Sequence, residues 1–133
     1  MNFSVIILKG LNEYTYLCEK KINSQQENVE IIKISFESEI EKAISSTRND
    51  NIIILGKNCI ITNNFFDNVK GYDPNFLILG RVDYIKNSRV VIDKRIGISN
   101  PDISLECLVF NKNIIKNPLD PDENKIFRNN IKV

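Results

Sequence analysis

Two short runs constrain this chain more than anything else in it: FSVIIL at 3–8 and NIIIL at 51–55. Both are built largely from isoleucine, leucine and valine, and neither shows the apolar/polar alternation of a strand with one face in water. A continuous apolar run of this length, bounded by turn residues, must be covered on both faces. Doubly covered strands belong to sheets with helices over each face, which is the parallel α/β arrangement.

The sequence between the two runs supplies the cover. NEYTYLCEKKINSQ (12–25) places Tyr14, Leu17, Cys18 and Ile22 at helical spacing, with Asn12 as a candidate N-cap and Glu13 suited to the positive first turn. NVEIIKIS (28–35) reads as a second strand. SEIEKAISS (38–46) reads as a helix with Ile40, Ala43 and Ile44 on its apolar face and Ser38-x-x-Glu41 as a capping box. The order β-α-β-α-β predicts parallel strands joined by right-handed crossovers.

The second half has a different pattern. TNNFFDNV (62–69) reads as a short helix begun by Thr62, and NFLILGR (75–81), RVVID (89–93) and SLECLVF (104–110) read as strands between Asp-Pro, Lys-Asn-Ser and Asn-Pro-Asp turns. The alternation of Leu105, Cys107 and Val109 suits an edge or antiparallel strand. The tail NPLDPDENKIFRNNIKV carries two prolines, and a last short helix is expected after them. The whole reads as one α/β domain over 1–133: a three-layer mixed sheet, parallel in its first half and partly antiparallel in its second. The rival arrangement is a flavodoxin- or receiver-like parallel domain, against which the polar turns between the later strands count.

Composition excludes several function classes. Eighteen basic and 17 acidic side chains leave a formal charge of +1, so no strong field draws nucleic acid or an anionic membrane to the chain. Tyr14 and Tyr16 do not make a stacking platform beside a basic groove. There is no histidine, and the three cysteines, Cys18, Cys59 and Cys107, are far apart in sequence, which removes the usual zinc spacings and histidine-based catalysis. Those thiols read as small buried hydrophobes in a reducing compartment. The apolar core of MNFSVIILKG is too short for a signal peptide or a membrane span, so a cytoplasmic protein without membrane insertion is expected.

Four segments, in order, resemble family 2 glycosyltransferases, whose fold is an A-type nucleotide-binding α/β domain. SVIILKGLNEYTYLCEKKINSQ (4–25) is similar to that family's opening strand, Asn-containing loop and first helix. NVEIIKISFES (28–38) is similar to its second strand, EIEKAISSTRNDNIIILGKNCII (39–61) to the helix and strand that lead to the metal-binding acids, and LECLVFNKNIIKNPLDPDE (105–123) to a later strand and its following segment. The resemblance implies a nucleotide-sugar donor site lined by Lys9, Asn12, Ser35, Glu37, Gly56, Lys57 and Asn58, with a base drawn from Asp120, Asp122 or Glu123.

It also exposes departures. The family's metal-holding acids align with Gly56 and Asn58, with Lys57 between them. A hard cation wants carboxylate oxygens, an amide brings no charge, and an adjacent ammonium repels the ion, so no bound metal is expected. Ser35-Phe36-Glu37 stands where the family places an Asp toward the base or ribose; Glu37 recovers that contact or is a solvated helix-entry residue. PLDPDE is either the source of the catalytic base or an ordinary proline turn leading into a helix. The chain ends at Val133, where family members usually continue with acceptor-binding elements. Gly56-Lys57 is not a P-loop, whereas Lys9-Gly10 before a helix could meet a phosphate.

The expectation is a degenerate glycosyltransferase-like pseudoenzyme that binds in glycan or polysaccharide biosynthesis, as a homodimer or as a subunit of a glycan-assembly complex. Two alternatives stay open: an active minimal transferase moving a hexose from a nucleotide sugar, and an unrelated small α/β interaction protein.

Overall fold

The computed structural model of the chain describes residues 2–61, 63–75, 77–81, 84–86, 89–91, 107–116, 118 and 126–132, with side chains for 2–61, 63–75, 107–116 and 118. In chain order the elements are β1 (Phe3–Leu8), α1 (Asn12–Gln25), β2 (Glu30–Ile34), a 3-10 turn (Glu37–Glu39), α2 (Ile40–Ser46), β3 (Asn51–Leu55), α3 (Phe65–Val69), β4 (Leu77–Arg81), β5 (Tyr84–Lys86), β6 (Arg89–Val91), β7 (Cys107–Asn111) and β8 (Ile126–Lys132).

Six strands form one mixed sheet in the order β2-β1-β3-β7-β4-β8, and β5 and β6 pair separately. β1 runs parallel to both neighbours, with Val5 opposite Ile31 on one side and Ile53 on the other. β7 is antiparallel to β3 and β4, and β4 is parallel to β8. The mix therefore falls as the sequence predicts, parallel first and partly antiparallel later.

The apolar runs are covered on both faces because adjacent residues point to opposite sides of the sheet. Phe3, Val5, Ile7, Ile53, Leu55, Cys107 and Val109 share one cluster with Cys18 and Ile22 of α1 and Phe65, Phe66 and Val69 of α3. Ile6, Leu8, Ile52, Ile54, Leu108 and Phe110 share the other with Ile40, Ala43 and Ile44 of α2. Every residue of β1 is buried. Full burial of one such aliphatic or aromatic side chain favours folding by about 1.5–3 kcal/mol, so β1 and β3, buried along almost their whole length, contribute heavily to the core. Phe3 meets Phe66 with ring centroids 5.8 Å apart, and Phe65 meets Phe66 edge to face at 5.4 Å.

The amino ends of these strands are closed by a polar hub. Ser4, a buried polar residue within β1, donates to Glu30 Oε1 at 2.8 Å. The same carboxylate accepts from the Arg48 backbone N–H at 2.8 Å and from Arg48 Nε at 3.0 Å. Asn49 Nδ2 donates to the Ser4 hydroxyl and the Phe3 carbonyl, each at 3.1 Å. Nearby, Lys112 Nζ donates to the Thr47 carbonyl at 2.8 Å and to its hydroxyl at 2.9 Å, tying the loop after β7 to the turn before β3. The Tyr72 hydroxyl donates to Asn51 Oδ1 at 2.5 Å, and burial pushes that phenol up to about 12.

Several expectations need correction. Leu17 is 44% exposed, on the outer side of α1, because Cys18 and Ile22 fill the space against the sheet. Asn12 is the first helical residue of α1 and Leu11 is the cap. The Ser38–Glu41 capping box is absent: Glu37–Glu39 form a 3-10 turn, and no side chain caps it or α2. The short helix starts at Phe65, while Thr62 lies outside the described residues. Of the two alternatives for β7, the antiparallel one holds: it sits between β3 and β4, antiparallel to both and buried from Cys107 to Phe110, and is not an edge strand. The segment after the tail prolines is a strand, β8, because an open sheet position beside β4 offers it a backbone ladder.

The hub makes a pH prediction. Burial alone would raise the Glu30 carboxyl, but the Arg48 N–H, the Ser4 hydroxyl and the Arg48 guanidinium favour the ionised form and hold it below 4.5, its ordinary value. A lowered folded-state value stabilises the fold above the unfolded value, and that stabilisation is lost as pH falls through the folded one. The urea midpoint should therefore drop on acidification below pH 4.5. Glu30→Gln should cost about 1 kcal/mol at neutral pH and flatten that acid limb.

Candidate functional site at the carboxyl ends of β1 and β3

The chain leaves β1 toward β2 through α1 and leaves β3 toward β4 through α3, two helices that pack on the same face of the sheet. The loops after these neighbouring parallel strands, Lys9-Gly10-Leu11 and Gly56-Lys57-Asn58, therefore lie side by side.

The two loops are latched to each other. Asn58 has left-handed backbone, φ 58°, a conformation that Asn tolerates better than most residues. That turn aims its side chain at the neighbouring loop, where Oδ1 accepts the Leu11 backbone N–H at 2.8 Å. An otherwise unpaired donor at the opening of α1 is thereby satisfied by a residue 47 positions away. Gly10 makes the approach possible: a Cβ there would stand 2.1 Å from Asn58 Oδ1, 2.8 Å from its Cγ and 3.0 Å from its backbone nitrogen. On the other side, the Lys9 N–H donates to the Ile34 carbonyl at 2.8 Å and joins the β1 loop to the end of β2.

The residues expected to contact a nucleotide are thus brought to one edge by three adjacent strand ends. Lys9, Asn12, Glu37, Lys57 and Asn58 are exposed, Ser35 is half-buried and Gly56 is buried. Asp120, Asp122 and Glu123 lie outside the described residues. Sequence reasoning missed three features of this edge: the Asn58–Leu11 latch, and the large exposed side chains of Leu11 (59%) and Phe36 (68%). Gly10, directly after Lys9 at the end of a buried strand, was the available signal for a close backbone approach. The polar neighbours Ser35 and Glu37 were the signal that Phe36 lies outside the core.

The donor set does not fit a divalent metal of the family type. Gly56 brings no side chain, Lys57 brings a cation, and the Asn58 carbonyl oxygen is committed to Leu11. The thiols lie elsewhere: Cys18, Cys59 and Cys107 form no disulfide and are buried, all within the cluster formed with α1 and α3. Burial pushes the Cys18 thiol up to about 12, which leaves it almost wholly protonated and a poor nucleophile at neutral pH.

Three outcomes test this description. Asn58→Gly should cost about 1 kcal/mol, the latch alone, and Asn58→Ala more, because alanine also meets the left-handed backbone. Gly10→Ala should destabilise the native chain strongly and cost less in the Asn58→Gly background, a coupling read from a double-mutant cycle in urea. In a thiol titration with a disulfide reagent, the native protein should react slowly and all three cysteines should appear on unfolding.

No protein-family model, no curated protein and no solved structure matches the chain significantly.

Proposed function

We propose that the chain is a glycosyltransferase-like domain that works by binding and does not transfer sugar. The observation that carries this reading is the Asn58–Leu11 latch: at the strand tip where the family resemblance implies metal-holding acids, a neutral amide closes onto the first helix. Without a divalent metal, a departing diphosphate there lacks the direct coordination that a metal supplies. Lys9 and Lys57, exposed on either side of the latch, are suited to hold the phosphates of a nucleotide sugar without assisting cleavage. Ser35 and Glu37 at the end of β2 offer a hydroxyl and a carboxylate to ribose or base.

Further support comes from the order of elements and the mixed sheet, with its parallel first half and an antiparallel strand beside β3. The finer arrangement that belongs to the proposal is a three-layer A-type domain. Its setting would be the cytoplasmic side of glycan or polysaccharide assembly, as a homodimer or as a subunit of a larger complex. Among the described residues no helix is long and apolar enough to cross a membrane.

A second reading, an active minimal transferase, draws on the same two lysines: their ammonium groups would stabilise the leaving diphosphate in place of a metal, and an acid among Asp120, Asp122 and Glu123 would serve as base. A third, an unrelated α/β interaction domain, draws on the exposure of Leu11 and Phe36.

Thermal unfolding with UDP-, GDP- and CDP-sugars, each with and without manganese, separates the three. A ligand that binds only the folded chain raises Tm by mass action. The expected outcome is a rise with one nucleotide class that is the same with and without manganese, and no sugar nucleotide consumed. A manganese-dependent rise overturns the account of residues 56–58, turnover selects the second reading, and indifference to every nucleotide selects the third.

A further inference from the structure

The outer face of α1 has a self-complementary pattern. Glu13, Tyr16, Leu17 and Lys20 fall at i, i+3, i+4 and i+7, which lines them along one stripe of the helix. The stripe points away from Cys18 and Ile22, the residues that α1 buries against the sheet. Tyr16 is 64% exposed and Leu17 44% exposed, an aromatic and an aliphatic side chain side by side in solvent. Glu13 and Lys20 are exposed, and neither enters the ion pairs made among the described residues, which are Lys33–Glu19, Arg48–Glu30 and Lys70–Asp67.

We infer that α1 is a homodimer surface, on which a second copy docks its own α1 in antiparallel orientation about a two-fold axis between residues 16 and 17. In a two-fold contact, whatever residue i touches on the partner, its symmetry mate repeats. An axis at that point sets Tyr16 against the second copy's Leu17 twice and Glu13 against its Lys20 twice. The apolar pair is then enclosed by two ion pairs at its ends. Parallel packing would instead align Glu13 with Glu13 and Lys20 with Lys20, so the charges select the antiparallel arrangement. This names the surface for the homodimer proposed above and is independent of nucleotide binding, because the stripe does not include Lys9, Lys57 or Asn58.

A contact centred on one helix is small compared with a standard interface, so a reversible dimer that dissociates on dilution is expected. Sedimentation equilibrium of the full chain across the micromolar range tests it. Leu17→Glu should be monomeric throughout, with an unchanged circular dichroism spectrum because the side chain is exposed. Glu13→Lys and Lys20→Glu should each weaken the dimer roughly tenfold, since each sets like charges face to face. The double reversal Glu13→Lys/Lys20→Glu should restore it, and added salt should shrink all three differences. A chain that stays monomeric at every concentration overturns the inference. So does a dimer indifferent to Leu17→Glu, or a double reversal no tighter than its parents.

Discussion

The structure depends on the coverage of β1 and β3 from both sides. An apolar strand in the middle of a sheet has no stable exposure to water, so each of these runs requires a helix above and another below. That requirement places α1 and α3 against one set of side chains and α2 against the other. The loops of the candidate site inherit their positions from this constraint, because Gly10 and Asn58 can meet only if β1 and β3 end side by side.

The same constraint explains what was legible in the sequence. Phe3–Leu8, Asn12–Gln25 and Asn51–Leu55 coincide with the boundaries their patterns imply, since long apolar or amphipathic periodicity is set by burial and burial is what the fold satisfies. Helix starts were less legible. Asn12 and Ser38 have the right chemistry to cap, but the backbone entering each helix is placed by the strand before it. At α1 the free donor of Leu11 is taken by a residue distant in sequence. Ile126–Lys132 shows another limit: IFRNNIK has no decisive period, and pairing with β4 decides its state.

At the carboxyl ends of the parallel strands the positions of loop residues were legible, but their arrangement was not. The expected contacts came from the family resemblance alone; in the structure Lys9, Ser35, Glu37, Lys57 and Asn58 follow the carboxyl ends of β1, β2 and β3. What the sequence could not show was the direction of the Asn58 side chain. A Gly-Lys-Asn turn is compatible with an amide pointing to solvent or to a ligand, and only the left-handed backbone at Asn58, close against a glycine of the neighbouring loop, turns it inward.

The two ends of the central strands therefore differ in how much sequence drift they can absorb. At the amino end, Glu30 joins three segments through a charged hub, so most replacements there are felt throughout the domain. At the carboxyl end the bonds between loops described above are neutral ones: the Asn58 amide oxygen accepts the Leu11 N–H, and the Lys9 N–H meets the Ile34 carbonyl. Exposed side chains at that rim, such as Lys9 and Lys57, can be exchanged singly in a selection or a designed library while the scaffold beneath stays folded, whereas Gly10 cannot.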